Sequence, residues 1–210
     1  MKLSLVQRAA VELFANRGFA ATGIRDIGRL VNLNSASLYH YTGGKEELLV
    51  SIMEAGMNEL LRLGQEAVDA STDPLLQYGY LVSSHVGLTA LNPQTTKVID
   101  HELRSLSADN LSKLVAVRDE YEDLWSRVFD AGCREGVFRL EDRTLSRLAV
   151  IEMCNGVANW FDPDGPLSIN EIQSRFVDIA GCVIGVEDLA SRLPEGPILP
   201  VRFVVEPAQG

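Results

Sequence analysis

Apolar residues recur at helical spacing along most of this chain, which predicts an all-α protein. Leu5, Ala9, Leu13 and Phe14 share one face of a first helix from about Ser4 to Asn16, and Gly18 closes it as a C-terminal cap. Ile24, Ile27, Leu30 and Val31 form a short second helix with Thr22 placed to cap its start. Asn32-Leu33-Asn34 breaks the pattern, since asparagine favours turns and tolerates left-handed backbone. Asn34 or Ser35 can then cap a third helix, Ser35 to Tyr41, anchored inward by Leu38. A fourth helix runs from Lys45 to about Ala70 with Leu48, Leu49, Ile52, Met53, Met57, Leu60 and Leu61 as its apolar stripe.

Asp73-Pro74 opens a fifth helix to about Leu91, and Asn92-Pro93 ends it. A sixth from about Gln94 to Leu106 and a seventh to about Glu135 are parted by Ser107-Ala108-Asp109, and Gly136 closes the seventh. The last pair, about Asp142 to Phe161 and Ile169 to Gly185, is apolar on more than one face, and Ser168 with Glu171 makes a capping box for the ninth helix. From Glu187 onward Pro194, Pro197, Pro200 and Pro207 predict an extended arm.

The short second and third helices, joined by a turn of about three or four residues, have the form of a helix-turn-helix. With Leu38 turned inward, Ser35, Ser37, Tyr39 and His40 are left for an outer surface that fits a groove. Small hydroxyls let a helix approach base edges, so Ser35, Ser37 and Tyr39 are the candidate base contacts. Thr22, Arg25, His40, Tyr41 and Lys45 are the candidate phosphate contacts, with Tyr41 equally suited to the core. Gly43-Gly44 bends the chain so that Lys45 opens the fourth helix, where ammonium and free N–H groups both face an anion.

Charge supports this reading once it is divided. The whole chain of 210 residues carries −10. Residues 1–45 hold Lys2, Arg8, Arg17, Arg25, Arg29 and Lys45 against Glu12 and Asp26, a net of +4, so the remainder is −14. A basic head on an acidic body attracts DNA in one orientation.

The run AAVELFANRGFAATGIRDIGRLVNLNSASLYHYTGGKEELL closely resembles the N-terminal domain of the TetR family of transcriptional repressors. Two positions depart from that pattern, Thr42 where the family has Phe and Gly44 where it has a capping Ser, Thr or Asn. The resemblance implies a homodimer that reads a pseudopalindromic operator and releases it on binding a small molecule. The segments HELRSLSADNLSKLVAVRDEYEDLW and NWFDPDGPLSINEI also resemble regulators of fatty-acid and steroid catabolism, which respond to acyl-CoA thioesters. An unrelated hydrophobic compound, such as a drug or aromatic metabolite, is the alternative effector.

The expected organisation is therefore a helix-turn-helix domain over 1–46, a helical ligand-binding and dimerisation domain over 47–186 and a tail over 187–210, with about nine helices. The long fourth helix is the lever between head and body. Tyr78, Leu81, His85, Arg104, Arg118, Tyr121, Trp125 and Trp160 are the candidate ligand residues: apolar and aromatic groups for a greasy chain, cations for phosphates. Arg104 and Arg118 also suit pairing with Glu102 or Glu122, and the tryptophans suit core or interface. The last two helices are the expected dimer surface, with Gly156, Ala158, Ala180, Gly181 and Gly185 permitting close approach.

Other classes find less support. No glycine-rich phosphate loop, nucleophile elbow or HExxH helix is present, so neither catalytic residues nor a cofactor is expected. His85 and His101 with Glu102 lack a third metal ligand at useful spacing. Cys133, Cys154 and Cys182 read as buried apolar side chains. No apolar run approaches the roughly 20 residues of a membrane helix, and a cytoplasmic protein without membrane attachment is expected. A helical adaptor that does not bind DNA would leave the basic head unexplained.

Overall fold

The computed structural model describes residues 2–194 and residue 205. Among the described residues there are nine α-helices and no strand: α1 Lys2–Arg17, α2 Ile24–Leu30, α3 Ser35–Thr42, α4 Lys45–Asp69, α5 Pro74–Leu91, α6 Pro93–Glu102, α7 Ala108–Arg134, α8 Arg143–Gly156 and α9 Ile169–Val183. One-turn 3-10 helices follow α6 at Leu103–Ser105 and α8 at Val157–Asn159, where regular helix was expected. Most of the expected extended arm lies outside the described residues. Its beginning is not extended, because a 3-10 turn at Leu189–Arg192 buries Leu189, and Leu193 packs against Gly79.

Local chemistry sets most helix ends. Gly18, Gly136 and Gly185 adopt the left-handed backbone that closes α1, α7 and α9. The Asn34 side chain accepts from the Ser37 N–H at 2.8 Å to cap α3, and Ser168 with Glu171 caps α9 reciprocally. The start of α2 differs from expectation. Its N-cap is Gly23, whose N–H donates to Asp26 at 2.9 Å. Thr22 instead turns inward, donating its hydroxyl to the Gly18 carbonyl at 2.8 Å.

The chain divides into two compact units, and the division departs from the boundary expected at residue 46. Among the described residues the first holds 2–58, 92–116 and 205, so α6 and the start of α7 belong with the head. Glu102 at the end of α6 accepts from the Phe19 N–H at 3.0 Å. Glu46 accepts from the Ser107 N–H at 2.8 Å and from Asn110 at 2.9 Å, and these bonds hold its carboxyl below the usual range. Within the head, Val6, Ala10, Phe14, Ile27, Leu38, Leu49 and Ile52 are buried.

Among the described residues, the second unit holds 59–91 and 117–194. Its centre is α5, of whose 18 residues all but Leu76, Gln77 and Leu91 are buried. Tyr78, Trp125, Phe129 and Phe138 meet edge to face in its core. Tyr78 also donates its hydroxyl to the Ala180 carbonyl at 2.8 Å, and Gln173 donates to the Ser83 carbonyl at 2.8 Å. Ala180 and Gly181, expected at a dimer surface, are buried in this unit, and a β-carbon on Gly181 would lie 2.7 Å from the Val186 carbonyl oxygen. Cys154 is buried, Cys133 half-buried and Cys182 exposed, so the expectation of buried cysteines fails at Cys182.

The turn between α2 and α3 depends on Gly28. A β-carbon there would sit 2.6 Å from the Leu33 carbonyl oxygen and 3.0 Å from Leu38. Gly28→Ala is therefore expected to destabilise the head by about 1 to 3 kcal/mol through overpacking against backbone. Thermal melts followed by circular dichroism check this, and an unchanged midpoint would show that the turn opens without cost.

Candidate nucleic-acid interface and effector cluster

Burial of Leu38 fixes the rotation of α3 and decides which side chains face outward. Tyr39, His40 and Tyr41 are exposed, and Ser35 and Ser37 are half-buried on the same short helix. Tyr41 is 39% exposed, which removes it from the core. His40 and Tyr41 meet edge to face at 5.5 Å. Ala36 is exposed between the two serines and adds a methyl group to this surface that the sequence reading passed over. Thr42 donates its hydroxyl back to the Leu38 carbonyl at 2.9 Å, so it closes the last turn of α3.

Flanking groups separate into free and committed. Arg25 is exposed on α2, next to Asp26, which is ion-paired with Arg29 one turn further on. Thr22, expected to contact phosphate, is 1% exposed and spends its hydroxyl inside the head. Lys45 is half-buried, with Nζ donating to the Phe19 and Thr22 carbonyls, each at 2.9 Å, and lying 4.0 Å from the Phe19 ring centroid. An ammonium has three donors, so one N–H remains available. Lys45 first braces the segment joining α1 and α2 onto α4.

The expected ligand residues also separate. Tyr78, Leu81, His85, Tyr121 and Trp125 are buried together in the second unit. His85 shares a hydrogen bond with the Asn155 amide oxygen at 2.8 Å through Nε2, and with the Tyr121 hydroxyl at 3.0 Å through Nδ1. The Trp125 ring stands 6.4 Å from His85 and 6.3 Å from Tyr121. Burial pushes the His85 pKa down to about 4 against the opposing effect of the Asn155 bond, and raises that of Tyr121. The cluster is uncharged near neutral pH. Asn155 was not among the sequence candidates, because nothing in its local pattern separates it from a surface asparagine.

Arg104, Arg118 and Trp160 do not join this cluster. Arg104 is exposed, and Arg118 is exposed and ion-paired with Glu122 at 3.7 Å. Trp160 is 55% exposed and stacks on Phe176 at 6.0 Å. On α9, Ile179, Cys182 and Val183 are exposed at helical spacing, and on α8 Leu145 and Leu148 are exposed. Among the described residues no helix is long and apolar enough to cross a membrane.

A helix-turn-helix joined to a helical unit with a buried polar cluster defines the class of small-molecule-responsive transcriptional regulators. Residues 7–52 match the family model described as bacterial regulatory proteins of the tetR family, and residues 72–182 match that of the tetracyclin repressor-like C-terminal domain. The chain belongs to the TetR family of transcriptional repressors. It is similar to the HTH-type transcriptional repressor KstR2 of Rhodococcus jostii, 26% identical over 172 residues, 81% of this chain and 84% of that protein. It is also similar to the fatty acid metabolism regulator protein of Bacillus subtilis, 21% identical over 173 residues, 81% of this chain and 89% of that protein. The solved structure of the regulator PfmR from Thermus thermophilus superposes with a TM-score of 0.76 at 31% identity, over 84% of this chain and 96% of that one.

The buried imidazole makes stability depend on pH. Its pKa falls from the ordinary 6.5 to about 4 on folding, so below 6.5 the unfolded chain binds a proton that the folded chain refuses. This contribution to stability is intact above that value and is lost as pH falls toward about 4, with a slope on the order of 1 kcal/mol per pH unit. Denaturant unfolding across this range should show the loss, and His85→Gln should remove this part of it. An identical slope in the variant would assign the dependence to another group.

Proposed function

We propose that this protein is a homodimeric repressor that places the α3 helices of its two protomers in successive major grooves of a pseudopalindromic operator, about 34 to 36 Å apart. The observation that carries the reading is the outward set Ser35, Ala36, Ser37, Tyr39 and His40, held in register by a buried Leu38. Ser35, Ser37 and Tyr39 face the bases. Arg25, His40 and Tyr41 hold phosphates on either side, and the remaining Lys45 N–H adds one more such contact. Thr22 acts from inside the head.

The two protomers pair through α8 and α9, using Leu145, Leu148, Ile179 and Val183, with Trp160 at the margin of that face rather than in the ligand site. Apolar side chains exposed in this number call for a partner surface. The effector is a hydrophobic molecule of the acyl-CoA thioester class, which binds in the second unit beside Tyr78, Leu81, His85, Tyr121 and Trp125. Support comes from the resemblance to regulators of lipid catabolism and from the relative named for fatty acid metabolism. Arg118, exposed in the same unit, suits a phosphate of such a ligand, whereas Arg104 belongs to the first unit. A difference in effector affinity between operator-bound and released shapes worth about 1 to 3 kcal/mol gives about 5- to 150-fold release. The protein acts in the cytoplasm, where its operator lies.

Fluorescence anisotropy on DNA from the intergenic region upstream of its own gene tests both halves. Binding should weaken steeply with salt and be reversed by one member of a panel of acyl-CoA thioesters. Release by a drug or an aromatic metabolite alone would replace the effector class, and failure to bind any duplex at low salt would remove the DNA reader. Ile179→Arg should shift light scattering from dimer to monomer and weaken operator binding by at least about tenfold, since paired half-sites depend on a paired protein. A dimer that persists in this variant would place the interface elsewhere.

A further inference from the structure

The cluster around His85 contains one donor without a well-formed hydrogen bond. Trp125 is 0% exposed, and its indole N–H has no hydrogen-bond acceptor among the described residues. The Tyr121 oxygen is the one group it partly engages: the N–H acts on that oxygen as a hydrogen-bond donor and opposes the rise in the Tyr121 pKa, but the pair falls short of full hydrogen-bond geometry. Buried polar groups in folded proteins almost always find partners, so an orphan of this kind asks for an explanation.

Its neighbours are already committed to one another. With the Asn155 amide oxygen as acceptor, His85 carries its proton on Nε2, and its Nδ1 then accepts from the Tyr121 hydroxyl. The Trp125 N–H is therefore the donor this cluster leaves incompletely satisfied, in contact with the Tyr78, His85 and Tyr121 rings.

The missing acceptor has to suit an uncharged place. Burial keeps both His85 and Tyr121 neutral near neutral pH. Arg104 and Arg118 are exposed, and Arg147, 15% exposed, is bonded to Glu122 at 2.8 Å. A carboxylate brought beside Trp125 would lose its hydration without gaining a cation, whereas a carbonyl oxygen would lose less and satisfy the indole.

We infer that the Trp125 indole N–H is the donor for an uncharged carbonyl oxygen of the effector, and that this buried cluster selects a thioester, ester or ketone over the corresponding free acid. The assignment rests on the proposed effector site and narrows it to one atom. The discriminating group is then a single neutral donor rather than a phosphate site.

The test uses the full-length dimer labelled with nitrogen-15 in its indole rings. The chain has two tryptophans, and the buried Trp125 signal is told from that of half-exposed Trp160 by its slower exchange with water. The probes are methyl nonyl ketone and decanoate, which share one alkyl chain and differ in the head group. The ketone should move the Trp125 N–H signal downfield and slow its exchange, while decanoate at equal concentration leaves it in place. Trp125→Phe, which keeps the ring, should weaken ketone binding about tenfold, the loss of one well-placed hydrogen bond. A ketone that fails to bind, that binds without moving the Trp125 signal, or that binds no better than decanoate overturns the assignment, and the measurement on the unaltered protein decides even if the variant does not fold. Operator anisotropy on the same samples separates the two claims. Release by an acyl-CoA with the Trp125 signal unmoved would overturn this inference and leave the repressor reading standing. A ketone-dependent Trp125 shift in a protein that binds no duplex would support the site and remove the repressor.

Discussion

Helix α5 offers water almost no surface, and the second unit is organised around that constraint. A helix buried on every side must satisfy its polar groups with side chains from its neighbours. Here α7 and α8 each supply one such bond and α9 supplies two: Tyr121 of α7 and Asn155 of α8 to His85, Gln173 of α9 to the Ser83 carbonyl, and the Ala180 carbonyl of α9 to Tyr78. Apolar packing alone would let these helices slide by a turn at modest cost. The polar bonds set their register, and His85 holds two of the neighbours at once.

The head is held together at its edges. Around its apolar centre the chain segments are tied by Lys45 to the carbonyls of Phe19 and Thr22, by Thr22 to Gly18, and by Glu102 to the Phe19 N–H. These bonds use polar groups that a reading of loose phosphate contacts would have left free. The cost is fewer outward cations. The benefit is a stiffly mounted α3, whose outward side chains keep their spacing without support from the ligand they meet.

Helices and their order were legible in the sequence because they rest on local signals: apolar spacing, Asn34 and Ser168 as caps, Gly18 and Gly136 as closures. The buried set Tyr78, Leu81, His85, Tyr121 and Trp125 was legible too, since these residues repeat at helical spacing on α5 and α7. What escaped depends on contacts between segments distant in the chain. Lys45 looks like a helix-start cation until Phe19 and Thr22 are brought beneath it. Gly23 takes the capping place expected of Thr22 because Asp26 reaches back to the Gly23 N–H. Ala180 and Gly181 look suited to an outer surface until Tyr78 is brought onto the first and Val186 and Leu189 onto the second. Asn155 has no local mark at all.

The membership of α6 in the head has a consequence for modular reuse. A recombination that spliced this head onto another body at residue 46 would carry Phe19 and Glu46 without Glu102, Ser107 and Asn110, which bond them. The transplanted piece would arrive with open hydrogen bonds at the back of its helix-turn-helix, and its fit would depend on whether the recipient offers equivalent groups near its own sixth helix. The unit that can be inherited intact is thus discontinuous in the gene, so new pairings of DNA specificity and effector are more readily reached by substitution on α3 and around His85 than by exchange of whole segments.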